Sequence, residues 1–178
     1  MAYNNLLIRN LYSPGFSFIM ISFYKTGLTF GFTPWVSTDN TGRSQYDKKR
    51  FQSTTIDYDK AAALYLAATK VLNGTDKQQV QLVLQCNNNT ILAFEYKPDQ
   101  NGRMKAYLVL EKNRSTIPFE FVTHEQRINQ NGQMCTVEVQ SGLTAFAMVL
   151  QAYLVSVNGE SSTMNEEESQ PMQFGSYR

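Results

Sequence analysis

Histidine is nearly absent from this 178-residue sequence: His124 is the only one, alongside two cysteines, one tryptophan and five prolines. That scarcity excludes most catalytic and metal chemistry. A structural or catalytic metal site draws on several His, Cys or spaced carboxylates, whereas His124 stands among Thr123, Glu125 and Gln126 near an expected strand end. GxSxG, P-loop and GxGxxG sequences are missing as well. The close pair Asp57 and Asp59 falls at an expected helix start, where the helix dipole favours acids without any catalytic role. Cys86 and Cys135 lie in alternating apolar runs with no CxxC spacing, which reads as two buried free thiols in a reducing compartment. The apolar run FSFIMISF at 16–23 is far shorter than the ~20 residues of a membrane span and follows no basic leader. The expectation is a soluble intracellular protein, cytoplasmic or nucleoid-associated, that is not an enzyme and has no cofactor, metal or membrane partner.

What is present points elsewhere. Hydrophobic residues make up 42% of the chain, enough for a core. Ten tyrosines and eleven phenylalanines bring the aromatic content to 12%, and a tyrosine hydroxyl needs water or a partner. The formal net charge of +1 hides a segregation. Residues 1–158 hold 15 Lys and Arg against 11 Asp and Glu, a balance of +4, while residues 159–178 hold one Arg against four Glu, a balance of −3. Two segments follow: a basic body over 1–158 and an acidic, polar tail over 159–178 that reads as disordered.

The body divides into two similar halves. LLIRNLY, FSFIMISFYK, LTFGFTPW and KRFQSTTI read as strands, with Leu28, Phe30 and Phe32 alternating against Thr29 and Gly31. A helix follows over DYDKAAALYLAATKVLNG, capped by Asp57, ended at Asn73–Gly74, with Ala61, Leu64, Tyr65, Ala68 and Leu72 on one face. QVQLVLQC, TILAFEYK, RMKAYLVLEK, TIPFEFVTH and QMCTVEVQ are the strands of the second half, joined by turns at CNNNT and PDQNG. SGLTAFAMVLQAYLVSVNG is the closing helix, with Leu143, Phe146, Ala147, Leu150, Leu154 and Val157 on one face and a stop at Asn158–Gly159. The fold class is α+β: two antiparallel β-sheets each followed by a helix, with four strands in the first half and four or five in the second.

Binding chemistry is better supplied than catalysis. Sequence-independent single-strand binders need cations for phosphates and aromatic faces for bases. FYK at 23–25 offers Tyr24 and Lys25, and EYK at 95–97 offers Tyr96 and Lys97. RMKAY sets Arg103, Lys105 and Tyr107 on one strand face, with Val109 continuing it and Met104, Ala106, Leu108 and Leu110 on the other. TGRSQYDKKRFQ at 41–52 adds Arg43, Tyr46, Lys48, Lys49 and Arg50, close after Trp35.

The segment LTFGFTPWVSTDNTGRSQYDKKRFQSTTIDYDKAAALYLA resembles the Whirly family of single-stranded DNA-binding proteins. That family has a strand ending in an aromatic, a proline, a loop, a tyrosine–aspartate–tryptophan motif with cations, then a strand and a helix. Phe32, Pro34, Gln45, Tyr46, Asp47, Lys49 and Arg50 keep that order, with Lys48 at the tryptophan position. EFVTHEQRINQNGQMCTVEVQSGLTAFAMVLQAYL is similar to the family's last two strands and closing helix. The likeness covers Leu11 to Val157. The lysine–glycine–lysine–alanine–alanine–leucine signature is absent; SPGFSF at 13–18 is the nearest counterpart. The departures look like a viral (phage) or bacterial relative, and the same fold is built from units similar to the coactivator domain called positive cofactor four.

The resemblance implies a Whirly-like domain that forms homotetramers through its helices. It also implies single-stranded DNA lying on the sheets, in replication, recombination or repair. Phe32, Tyr46, Lys49 and Arg50 inherit the binding role by position. Tyr24, Lys25, Trp35, Arg43, Lys48, Tyr96, Lys97, Arg103, Lys105 and Tyr107 join them from the strand patterns. RNA binding or annealing, and a structural interaction module without nucleic acid, are the competing readings. The tail would recruit replication or recombination proteins, or compete with DNA for the basic surface. If it competes, removing residues 160–178 tightens single-strand binding at low salt, measured by oligonucleotide titration; unchanged affinity removes that role.

Overall fold

The computed structural model describes residues 8–13, 15–24, 26–74, 78–121, 124–128, 130–138 and 141–167. The first half holds β1 (Ile8–Ser13), β2 (Ser17–Tyr24), β3 (Gly27–Thr38), β4 (Ser44–Tyr46), a 3-10 turn (Lys48–Arg50), β5 (Gln52–Ile56) and α1 (Tyr58–Asn73). The second holds β6 (Val80–Asn87), β7 (Thr90–Pro98), β8 (Met104–Lys112), β9 (Ser115–Phe121), β10 (His124–Ile128), β11 (Met134–Glu138) and α2 (Ser141–Glu167). All described strand pairs are antiparallel, so the protein is α+β with two main sheets and two helices.

Sheet 1 runs β1-β2-β3, and the far side of β3 is shared by two strands. Leu28–Phe32 pair with β5, and Trp35–Thr38 pair with β4 across a bulge. Sheet 2 is the meander β6-β7-β8-β9. QMCTVEVQ forms β11 as expected, but the expected fourth strand of the second half resolves differently. TIPFEFVTH does not run through to His124: β9 ends at Phe121 and His124 opens β10, which pairs with β11 as a separate hairpin.

Local chemistry fixes the connections. DNTGR and DQNGR form the same loop twice, one after β3 and one after β7. Oδ1 of Asp39 accepts from the N–H groups of Thr41 and Arg43, each at 2.9 Å. Asp99 Oδ1 does the same for Asn101 at 2.8 Å and Arg103 at 2.9 Å. These donors hold both carboxyls below the usual carboxylate range, led at Asp39 by the Thr41 hydroxyl and at Asp99 by the Arg103 N–H. Asp57 caps α1 by accepting from the Lys60 N–H, and its carboxylate also pairs with the Lys60 ammonium.

Alternation decides what is buried. Ile19, Ile21 and Phe23 of β2, Leu28, Phe30 and Phe32 of β3, and Thr54 and Ile56 of β5 share one face of sheet 1. Leu84, Leu92, Phe94, Tyr96, Ala106, Leu108, Leu110, Ile117, Phe119 and Phe121 share one face of sheet 2. Both faces meet Ala61, Leu64, Ala68 and Val71 of α1 and Leu143, Phe146, Ala147, Val149, Leu150 and Tyr153 of α2 in one hydrophobic cluster. Phe146 is its hub, with ring centroids 6.2 Å from Phe30 and 5.0 Å from Phe121. Cys86 is a free thiol, half-buried rather than buried because it lies on the edge strand β6; Cys135's side chain is outside the described residues.

Two expectations about α2 change. Its buried face includes Tyr153, while Leu154 and Val157 are half-buried. The helix does not stop at Asn158–Gly159 but runs to Glu167, so the first part of the acidic segment is helical; residues 168–178 lie outside the described residues. A single interior glycine costs only ~1 kcal/mol relative to alanine, and the Glu- and Met-containing sequence beyond it can propagate the helix. Among the described residues, 141–158 form a stretch long and apolar enough to cross a membrane, though 33% of it is buried in this core.

The hub position sets a stability test. Phe146→Ala removes the ring that both sheets share and should lower unfolding stability by about 3–5 kcal/mol, read from the urea midpoint. A loss under about 1 kcal/mol would mean that the two sheets are held together elsewhere.

Candidate nucleic-acid interface

Core packing consumes one face of each sheet and leaves the other outward. On sheet 1 the outward set is Phe18, Met20, Ser22 and Tyr24 of β2, Thr29, Gly31, Thr33 and Trp35 of β3, and Ser53 and Thr55 of β5. Gly31 has no side chain, and the Phe51 ring lies in the space this leaves. A Cβ placed on Gly31 would fall 2.6 Å from Phe51 Cε2 and 3.7 Å from Met20 Cε. Phe51 is 45% exposed, a large apolar ring resting on a sheet rather than in a core.

Further along the same face, Phe18 and Tyr46 have ring centroids 6.0 Å apart, and Trp35 is opposite Tyr46 in the β3–β4 pair. The Trp35 N–H donates to the Phe16 carbonyl at 3.0 Å, and the Phe16 ring sits 6.2 Å from Tyr107 of sheet 2. Ser17 Oγ donates to the Pro118 carbonyl at 2.8 Å, so the β1–β2 turn is seated against edge strand β9. The result is two ring pairs, Phe18–Tyr46 on the outer face of sheet 1 and Phe16–Tyr107 between the β1–β2 turn and sheet 2, with Phe51 lying separately over Gly31. Trp35 Nε1 is buried with no hydrogen-bond partner among the described residues.

Cations flank these rings unequally. Lys48, Lys49 and Arg50 form the single 3-10 turn that Asp47 caps through the Lys49 N–H, directly before Phe51. All three are exposed, as is Arg43, and among the described residues no carboxylate lies within ion-pair distance of any of them. Sheet 2 is different. Lys105 pairs with Glu120 at 2.7 Å and with Asp99 at 3.9 Å. Lys97 pairs with Glu95 and sits 5.7 Å from the Tyr107 ring centroid. Sheet 2 therefore offers a ring among matched charges, and sheet 1 offers rings beside unmatched cations.

The sequence-derived residues divide accordingly. Trp35, Tyr46, Lys48, Lys49 and Arg50 are brought together on sheet 1, with Arg43 exposed at the β3–β4 loop. Lys97, Lys105 and Tyr107 gather on sheet 2, and Arg103 lies exposed in the loop before β8. Tyr24 shares the outer face of sheet 1, 49% exposed, but at the opposite end of β2 from Phe18. That separation is roughly 20 Å at ~3.3 Å per residue. Lys25 lies outside the described residues.

Two residues are corrected. Phe32 is fully buried and Tyr96 is 7% exposed, so neither face is open to a base. Both follow the core-facing parity of their strands, Leu28–Phe30–Phe32 and Leu92–Phe94–Tyr96. Phe18, Met20, Phe51 and Phe16 were missed. The signal for Phe18 was its alternation with Ile19 and Ile21, and for Phe51 its position after three cations. Glu120 was missed because only strand register brings it beside Lys105, whereas Glu95, two residues before Lys97 on the same face of β7, was legible from period two.

Elsewhere, a groove of about 660 Å³ opens between the β6–β7 and β8–β9 turns, lined by Asn88, Asn89, Lys112 and Arg114 among others, with no aromatic ring. No group of three His, Cys, Asp or Glu able to hold a metal ion occurs among the described residues. Comparison with models of protein families, with curated proteins and with solved structures finds no match for this chain.

Burial, followed by the charge of Glu120 and its hydrogen bond, pushes the Tyr107 hydroxyl from 10.0 up to about 12. A phenol raised in the folded state adds stability that is complete below pH 10 and fades as pH climbs towards 12. Glu120→Gln should bring Tyr107 ionisation to lower pH, seen as earlier tyrosinate absorbance in a spectrophotometric titration. An unaltered curve would disprove the Tyr107–Glu120 contact.

Proposed function

We propose that this protein binds single-stranded DNA without sequence preference, stacking bases on the rings of sheet 1 and holding phosphates with Lys48, Lys49 and Arg50. One observation carries the reading: an exposed ring, Phe51, lies over a glycine of the outer sheet face directly after three cations that no described carboxylate neutralises. Exposed aromatic surface is retained on a sheet when a planar ligand uses it, and base stacking on such rings is sequence-tolerant. The unpaired cations supply the salt-dependent part of affinity. Tyr107 with Lys97 extends the path, with weaker phosphate attraction because its lysines are already matched.

The same reading includes self-association through the helices, as the Whirly resemblance implies. Met148 and Val155 of α2 are each 64% exposed and share a face with Ala145 and Ala152, while Leu66 of α1 is 66% exposed. Roles in replication, recombination or repair, and recruitment of partner proteins through the acidic segment, belong to this proposal.

Titration with fluorescent single-stranded DNA, duplex DNA and RNA at two salt concentrations is the test. Tight, salt-dependent, single-strand-selective DNA binding is expected, and no binding to any of the three overturns the function. Phe51→Ala should weaken binding by ~1–3 kcal/mol, the usual scale for one base stack. The triple change Lys48/Lys49/Arg50→Ala should flatten the log–log salt slope by about 2, at ~0.7 per phosphate on a single strand. Lys105→Ala should weaken binding far less. Equal losses at Lys105 and at the three cations would place the site on sheet 2 instead.

A further inference from the structure

Sheet 2 has two edges, and among the described residues only one is covered by another segment; the other is interrupted only by a bulge between Gln85 and Asn87. At β9 the edge carries Pro118 and Glu120, and the β1–β2 turn is bonded to it through Ser17 and the Pro118 carbonyl. The other edge, β6, carries neither proline nor charge: no charged residue occurs from Gln78 to Thr90. Long uncharged edges of this kind are templates for strand pairing, and proteins usually guard them with Lys, Pro or a covering segment. Val83, at the middle of β6, is 55% exposed, and Gln81 and Gln85 on either side are exposed as well.

The sequence of that edge reads nearly the same in both directions. VQLVLQC over 80–86 is a palindrome about Val83: Leu82 mirrors Leu84, Gln81 mirrors Gln85, and Val80 mirrors the similarly apolar Cys86. A palindromic strand is self-complementary under a two-fold axis, the symmetry of an isologous dimer. We propose that two copies of the chain pair antiparallel along β6, with Val83 on the axis opposite its own counterpart.

In that register Gln81 faces Gln85 of the other copy on the outer surface, where the two amides can bond to each other. Leu82 faces Leu84 on the inner surface, and half-buried Leu82 gains cover. The lack of charge removes any cross-strand repulsion. Two four-stranded sheets become one eight-stranded sheet. The axis stands perpendicular to the sheet, so both Tyr107–Lys97 surfaces emerge on the same side with opposite strand polarity. This interface lies on a sheet edge, apart from the helix faces, and does not rest on the nucleic-acid reading.

Single cysteines introduced in a Cys86→Ser, Cys135→Ser background read the register directly. Val83→Cys alone should give a disulfide-linked dimer on oxidation. Gln81→Cys and Gln85→Cys should each link poorly alone and well when mixed, because 81 meets 85 across the axis. Leu66→Cys on α1 is the exposed control. Val83→Lys should set two like charges face to face and halve the particle mass by light scattering while circular dichroism stays unchanged. Linking of Val83→Cys no better than the Leu66→Cys control, or a Val83→Lys mass equal to that of the unmodified protein, overturns the proposal.

Discussion

The Phe146 ring touches Phe30 of one sheet and Phe121 of the other, and this double contact determines where every remaining face of the molecule points. A helix that serves two sheets at once leaves each sheet one buried face and one free face. Residue parity then does the sorting. Phe30 inward forces Gly31 outward; Leu108 inward forces Tyr107 outward. The aromatic set on the outer surface is thus a by-product of the same alternation that builds the core, and its position cannot be changed without moving the hub.

Electrostatics divide the outer surface into two unlike halves. On sheet 2 every described lysine beside Tyr107 has a carboxylate in reach, so the surface is charged yet locally balanced. Partly buried pairs of opposite charge like these cancel each other's long-range field. On sheet 1 no described carboxylate lies within ion-pair distance of the cations of the 3-10 turn, and their field is the one an approaching polyanion would sense first. Rings lie on both halves; among the described residues, cations with no carboxylate in reach lie on one.

Much of this was legible in the chain. Period-two runs located β2, β3 and the strands of sheet 2, and RMKAYLVL gave both faces of β8 correctly, with Lys105, Tyr107 and Val109 outward. Asp57 as a cap and the DQNGR turn followed from side-chain chemistry alone. Adjacency misled: a ring next to a cation, as in Glu95–Tyr96–Lys97, suggests a joint site, yet neighbours on a strand point to opposite faces, so Tyr96 went to the core and Lys97 to solvent. The family-like position of Phe32 misled for the same reason. Glu120 beside Lys105, Phe51 over Gly31 and the β10–β11 hairpin depend on register and long-range placement, which local spacing does not carry. The helix beyond Gly159 shows a weak local breaker overridden by the helix already formed before it.

Trp35 is the only tryptophan in the chain, and it stands on the outer face of sheet 1, opposite Tyr46 and bonded through its backbone to Phe16. Indole emission from this protein is therefore a local signal from one spot on the outer surface, not an average over the fold. Its half-buried ring, whose Nε1 has no partner among the described residues, sits where a change in polarity or a stacked neighbour would alter colour and intensity together. The molecule carries its own optical probe at the junction of its two sheets.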